Sequence, residues 1–314
     1  MSHLCATYYH AGTQELVSSS GGNAGLAVAT VGKKLGMPVS VIVPDTTKPV
    51  VLAKLRNLGA TVTVHGHNWN AADTYARALV DDDHNNDQPE QPHPQRCQYV
   101  SPYDNPLLWT GHSTLVDELC EQLRVAQPQS QQPQQETEQE RPKLGTIIVS
   151  VGGGGLLCGV LEGCTRRQIH TTTHILTCET EGAACFQQSY IQKQCITLPG
   201  IDSIATSLGA TSCTPVAVDR ATAYPGGVTA GTCTDTEAIE ACVQFARDHR
   251  VLVEPACGAA LAMVYSPRLR QQYLTSTSTD DDDDRPIVIE VCGGSGVDLD
   301  LLHGWKTEYL ASSS

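Results

Sequence analysis

SVGGGGLLCGV, residues 150–160, follows the apolar run TIIV and leads into a helical pattern. A tight strand-to-helix packing turn needs one or two glycines, and this stretch has four in a row, Gly152 to Gly155. Unsubstituted positions at a strand end leave backbone N–H groups free to converge on one anion. The N-terminus of the following helix adds favourable potential there. The stretch is therefore read as a phosphate cradle at the carboxyl end of a parallel strand, where ligands of such sheets collect.

Working outward, the same punctuation recurs in SSSGGNAG (18–25) and VCGGSG (291–296). Between these turns, short β-branched runs alternate with longer helical ones. LVSSS, VSVIVP, TVTVHG and CQYV read as strands, separated by the helical NAGLAVATVGKKLG, VVLAKLRNLGA and NAADTYARALV. A second series follows: TIIVSV, HILTCE and PIVIEVCGGS as strands, with HSTLVDELCEQLRV, LLCGVLEGC, TDTEAIEACVQFARDHR and DLDLLHGWKTEYL as helices. Thr234 and Glu237 are spaced as a capping box. Alternation at this pitch predicts two α/β domains with mainly parallel sheets covered on both faces. The division is set near residue 104, giving a domain over 1–104 and another over 105–314. Three polar, low-complexity stretches, 81–95, 127–140 and 275–284, read as solvated loop insertions.

Composition narrows the partners. The net charge of −14 and the lack of a basic patch argue against nucleic acid. No apolar run approaches a membrane span, and the first residues lack the regions of a signal peptide, so the chain is read as cytoplasmic. Thirteen cysteines lie scattered without C-x-x-C spacing and read as small buried hydrophobes. HGH (65–67) and HTTTH (170–174) lack the acidic or thiol neighbours that complete a metal set.

Which phosphate compound the cradle holds is first approached by elimination. A P-loop needs a lysine after the glycines, and none is there. A dinucleotide fingerprint needs a third glycine where Cys158 stands, although Glu179 ends the next strand as a ribose-binding acid would. The hydrolase elbow fails because Val297 replaces its second glycine. What remains is a compound with a single phosphate approached from several strand ends, with a nicotinamide cofactor as an open alternative.

Seven segments, SSSGGNAGLAVA, LGMPVSVIVPDTTKP, LRNLGATVTVHG, SPYDNPLLWTGHSTLVDEL, SVGGGGLLCGV, VEPACGAALA and VCGGS, together resemble the pyridoxal-phosphate-dependent L-serine/L-threonine dehydratases, in the family's order. The resemblance implies a fold type II enzyme with two doubly wound three-layer domains and the cofactor in the cleft between them. It implies that Gly152, Gly153, Gly154, Gly155 and Leu156 bind the cofactor phosphate, that Asn23 bonds the pyridoxal 3-oxygen, and that Cys292 faces the pyridine nitrogen. Ser20, Gly21, Asn23 and Ala24 would grip the substrate carboxylate. Glu179, Ala183, Cys185, Leu208 and Ala210 fall where the family holds a potassium ion, with Cys185 departing from the usual serine. Cys292, unable as a neutral thiol to keep the ring nitrogen protonated, suits β-elimination. Gly21 stands where racemases carry a second base. The implied reaction turns L-serine into pyruvate and ammonia, and L-threonine into 2-oxobutanoate and ammonia, in a homodimer.

The family's Schiff-base lysine lies in a Ser-x-Phe-Lys-x-Arg-Gly motif upstream of the first glycine loop. Lysines 33, 34, 48, 54, 143, 193 and 306 all lack that context, and the motif would fall just before Ser2. The expectation is an internal start that omits the motif together with a strand and helix of the large domain. Its alternative is a non-catalytic binding or regulatory product.

Overall fold

Each β-branched run quoted above forms a strand in the computed structural model, which describes residues 1–85, 96–126, 144–274 and 285–310. The chain splits into two compact units, Met1–Gly111 and His112–Ser314. The division thus lies inside a helix rather than at residue 104.

The first unit runs α1 (Ser2–His10), β1 (Glu15–Ser18), α2 (Asn23–Leu35), β2 (Val39–Val43), α3 (Pro49–Asn57), β3 (Thr61–Val64), α4 (Trp69–Asn85), β4 (Cys97–Tyr99) and the start of α5 (Pro106–Ala126). All its strand pairs are parallel, in the order β3-β2-β1-β4. Strand alternation splits the core between two faces. Leu16, Val41 and Val43 pack with Val28, Leu55 and Leu108 on one face, and Val17 and Ile42 pack with Ala72, Ala76 and Val80 of α4 on the other. α2 stops at Gly36, whose φ of 69° suits a left-handed C-cap. α4 continues to Asn85, so the polar stretch 81–95 begins as helix and not as loop. The rest of that stretch, and the stretches at 127–140 and 275–284, lie outside the described residues.

The second unit contains β5 (Thr146–Ser150), α6 (Gly155–Arg166), β6 (His174–Thr180), α7 (Cys185–Gln192), α8 (Pro215–Thr222), β7 (Val228–Cys233), α9 (Asp235–His249), α10 (Pro255–Tyr265), α11 (Pro267–Tyr273), β8 (Ile287–Ile289) and α12 (Leu299–Leu310). Its sheet is also parallel, in the order β7-β6-β5-β8. Every residue of β5 is buried, as a central strand covered on both faces requires. Ile148, Leu176 and Cys178 pack against Ala238, Cys242, Ala259 and Met263 of α9 and α10. The short β8 is an edge strand among the described residues, with Ile287 46% exposed.

α10 escapes sequence reading for a physical reason. PACGAALAMVY is buried from Pro255 to Met263, so it carries no polar face and no 3.6-residue contrast. β7, VTAGTC, is masked by its small residues in the same way. By contrast α9 begins as its sequence indicates. Thr234 Oγ1 accepts from the Glu237 amide at 3.1 Å, and the Thr234 amide donates to Glu237 Oε2 at 3.0 Å.

None of the thirteen cysteines forms a disulfide, and only Cys97, Cys195 and Cys292 escape full burial. Thr234→Ala removes one half of the capping box and should lower the unfolding free energy by about 1 kcal/mol, read from urea denaturation. An unchanged midpoint would show that the cap contributes nothing.

Candidate active site

In both sheets the strand order reverses beside the first strand of the unit. In the first, β1 leads to β2 on one side while β4 lies on the other; in the second, β5 leads to β6 while β8 lies opposite. Such switch points open a crevice at the strands' carboxyl ends. SSSGGNAG leaves β1 at one of them, and SVGGGG and VCGGS leave β5 and β8 at the other.

The glycine loop of the second unit has a definite polarity. Its carbonyls face protein donors: Gly152 O accepts from Cys185 Sγ at 3.6 Å, Gly153 O from the Thr214 amide at 2.9 Å and Gly154 O from the Cys158 amide at 3.0 Å. His112 Nδ1 lies 3.3 Å from Gly155 O. Its amides, from Gly152 to Leu156, donate to no protein acceptor among the described residues. Turning every carbonyl inward turns these amides outward together, at the N-terminus of the twelve-residue α6.

Two of the glycines lie where a side chain would crowd its neighbours, Gly154 the more severely. A Cβ on Gly152 would stand 3.2 Å from the backbone of Leu208. Gly154 has φ +90°, and a Cβ there would lie 2.7 Å from Ala217 Cβ. Converging unpaired amides with no room for side chains fit a phosphate monoester, so the residues present fit the group that the resemblance implies.

Cys292 follows β8 and is exposed, with Sγ donating to Glu290 Oε2 at 2.7 Å. The loop after it is tied down by Glu254, a buried carboxylate that sequence reading did not single out. The Gly296 amide donates to Glu254 Oε1 at 2.6 Å, and the Glu254 amide to Gly293 O at 3.0 Å. Gly294, at φ +124°, passes so close that a Cβ would overlap the Glu254 carboxyl. Its one sequence signal is a Glu directly before the Pro that opens α10.

In the first unit, Ser20 and Gly21 follow β1, while Asn23 and Ala24 begin α2. The Gly22 amide donates to Ser20 Oγ at 3.2 Å. Behind this loop the buried Ser19 donates to Asp73 Oδ1 at 2.7 Å and meets Tyr99 Oη at 2.8 Å. Arg77 Nε donates to Asp73 Oδ2 at 2.8 Å, and its guanidinium lies 4.2 Å above the Tyr99 ring. Nothing in the sequence marks Asp73 or Tyr99 as the support of this loop, because α4 and β4 meet Ser19 only in the folded chain.

The five residues to which the resemblance gives a cation lie as follows. Glu179 is fully buried, and its two oxygens accept from the amides of Phe186 at 2.9 Å and Gln187 at 2.6 Å, in the first turn of α7. Burial dominates these bonds and pushes its carboxyl up to about 8. With both oxygens held this way, Glu179 is not presented to a ribose, which removes the dinucleotide reading. Cys185 Sγ donates to Gly152 O at 3.6 Å, and the Leu208 backbone passes close to Gly152. Ala183 is buried in the turn before α7. The Ala210 amide donates to Leu208 O at 2.7 Å. Three of these four histidines make other contacts: His67 bonds Asp45 at 2.6 Å, His65 stacks on Tyr75, and His174 bonds Gly226 O and Thr229, while the buried His170 Nδ1 has no hydrogen-bond partner among the described residues.

Comparison with known proteins extends the pattern over the chain. Residues 2–279 match the family model described as pyridoxal-phosphate dependent enzyme. The chain is 37% identical to the mouse L-serine dehydratase/L-threonine deaminase over 309 residues, covering 98% of this chain and 84% of that protein. It is 35% identical to an L-serine dehydratase of Saccharomyces cerevisiae over 284 residues, 90% of this chain and 78% of that protein. Among solved structures, the L-serine ammonia-lyase of the fungus Rhizomucor miehei superposes with a TM-score of 0.80 at 29% identity, covering 98% of this chain and 86% of that one.

Gly154→Ala should lower stability by about 1–3 kcal/mol, the cost of a side chain at positive φ. It should also abolish heat release on titration with inorganic phosphate; phosphate binding equal to that of the unsubstituted chain would remove the cradle. The raised Glu179 carboxyl gives a second test. A group protonated more tightly in the folded than in the unfolded state contributes fully below about 4.5, and its contribution is lost as pH rises toward about 8. The melting temperature should therefore fall across that window, and Glu179→Gln should flatten the fall. A parallel pH profile in the variant would reject the assignment.

Proposed function

The chain belongs to the pyridoxal-phosphate dependent enzyme family, and from that premise we propose that it is a β-eliminating lyase of L-serine and L-threonine, releasing ammonia with pyruvate or 2-oxobutanoate. The observation that carries the reading is the loop whose carbonyls all turn inward and whose amides, Gly152 to Leu156, all turn outward.

On this reading those amides hold the phosphate, and α6 adds the positive end of its dipole. Cys292 would face the ring nitrogen; its proton is donated to Glu290, and a neutral thiol lacks the negative charge by which a carboxylate keeps that nitrogen protonated. Asn23 orients the 3-oxygen. Ser20, Gly21, Asn23 and Ala24 grip the substrate carboxylate at the N-terminus of α2, with Ser19 and Asp73 fixing the loop from behind. Bound pyridoxal phosphate supplies the electron sink that stabilises the charge left when the Cα proton departs. Glu179, Ala183, Cys185, Leu208 and Ala210 would surround a potassium ion. The gathering of Glu179, Cys185 and Leu208 around Gly152 supports that placement, and a thiol in place of a hydroxyl weakens it.

Proton removal at Cα is not assigned to any of these residues. No lysine of the sequence stands in the family's motif context, and the six described ones, 33, 34, 48, 54, 193 and 306, are all exposed. The reading further includes a cytoplasmic homodimer without a nucleic-acid partner, the last supported by the net charge of −14. Among the described residues no helix is long and apolar enough to cross a membrane.

The purified 314-residue chain should bind pyridoxal phosphate, read by cofactor fluorescence and competed by inorganic phosphate. Absence of binding would overturn the reading. Borohydride treatment should leave the cofactor dialysable, and pyruvate release from L-serine by this chain alone should stay at the blank. A phosphopyridoxyl-lysine peptide accompanied by pyruvate release would show that one of these lysines serves after all.

A further inference from the structure

At the amino end of the first unit's sheet, α2 and α3 leave a cavity of about 280 Å³ that opens to solvent. Its walls are Ala29 of α2, Met37 and Val39 leading into β2, and Ala60 leading into β3, all buried members of one core cluster. Lys33 and Arg56 stand exposed at its opening. We propose that this cavity binds a small aliphatic monocarboxylate, with its chain against the apolar walls and its carboxylate between Lys33 and Arg56.

The two helices end alike, and this brings the two cations to one place. Each closes on a glycine of positive φ, Gly36 at 69° and Gly59 at 91°. The Met37 amide donates to Gly32 O at 2.9 Å and the Gly36 amide to Lys33 O at 3.4 Å. In α3 the Ala60 amide donates to Leu55 O at 3.2 Å and the Gly59 amide to Arg56 O at 2.9 Å. Both closures are Schellman motifs, and Lys33 and Arg56 occupy the same position in each. Amides already cap these carbonyls, so neither side chain is needed for that task. Neither makes an ion pair or a side-chain hydrogen bond among the described residues. No acidic residue among the described ones lines the cavity, in a chain whose net charge is −14. A cation in a last turn suits the helix dipole, but dipole compensation does not call for an apolar opening beside it.

Size and charge choose the ligand. Sites for drug-sized molecules run from about 300 to 1,000 Å³, so this smaller one takes a short body and excludes a nucleotide. Apolar walls give nothing to a bare inorganic anion, and the two cations repel an amine. Arg56 offers a planar fork to a carboxylate, and Lys33 a mobile point charge. Asn57, also exposed at the rim, adds an amide donor. The cavity is separate from the proposed substrate loop. Lys33 follows Asn23 by ten residues of α2, about 15 Å of helix, and the loop lies at the other end of the strands. Binding here requires neither the cofactor nor the lyase reaction.

Hexanoate titrated into the purified chain, followed by amide NMR shifts, tests the site. Shifts should centre on Ala29, Val39, Gly59 and Ala60 and saturate with a Kd on the order of 1 mM or tighter. Hexylamine and inorganic phosphate should leave these four amides unmoved. The double variant Lys33→Gln/Arg56→Gln changes two exposed side chains, should remain folded and should weaken hexanoate binding about tenfold. Ala29→Leu narrows the cavity from the α2 side and should block hexanoate; if that variant fails to fold, the glutamine variant decides. The site is overturned by stationary amides, by an equal response to hexylamine or phosphate, or by unchanged affinity in the glutamine variant.

Discussion

The inward set of the glycine-loop carbonyls is the constraint on which the second unit depends. Each carbonyl is held by a donor from a different place: Cys185 at the start of α7, Thr214 before α8, Cys158 inside α6 and His112 in α5. Chain segments distant in sequence are thereby fixed to one turn. A side chain on the turn would crowd Leu208 at Gly152 and clash with Ala217 at Gly154. An anion site made of backbone amides has no charged side chain to place, so its accuracy comes entirely from holding the opposite ends of the same peptides. That explains why the loop needs so many glycines and so many partners.

The two units apply one topological rule twice. In each, strand order reverses beside the first strand, and the segments later assigned to binding leave the sheet at that point. Around each proposed site stands a polar support, with Ser19 and Glu254 as its buried members. Ser19, Asp73, Tyr99 and Arg77 brace the loop after β1. Glu254 braces the loop after β8 through the amide of Gly296 and its own amide. Buried polar groups of this kind are costly unless fully bonded, and when bonded they fix a single geometry.

Glu179 shows the competing side of burial. Two α7 amides donate to its oxygens, yet desolvation wins and raises its carboxyl toward neutrality. The many buried cysteines follow simpler rules, acting as small apolar residues in contact with α9, α10 and the sheet. The exceptions are Cys97 on β4 and Cys195, both half-buried, and the exposed Cys292 after β8.

By itself the sequence determined the parallel α/β class, because β-branched runs and amphipathic helices alternate with a period that allows few other folds. It also marked the capping box at Thr234 and the glycine turn between β5 and α6, since an apolar run, four glycines and a helical pattern follow one another there. The tertiary structure decided what local pattern does not carry. α10 is buried along most of its length and so displays no amphipathic contrast. Asp73 and Glu254 acquire their roles only when α4 and α10 bring them to loops far away in the chain. The division of the units falls inside α5, because a continuous helix can pass from one core to the next without any break in its sequence. The direction of the glycine carbonyls depended on Cys185, Thr214 and His112, residues whose approach to the loop no local signal announces.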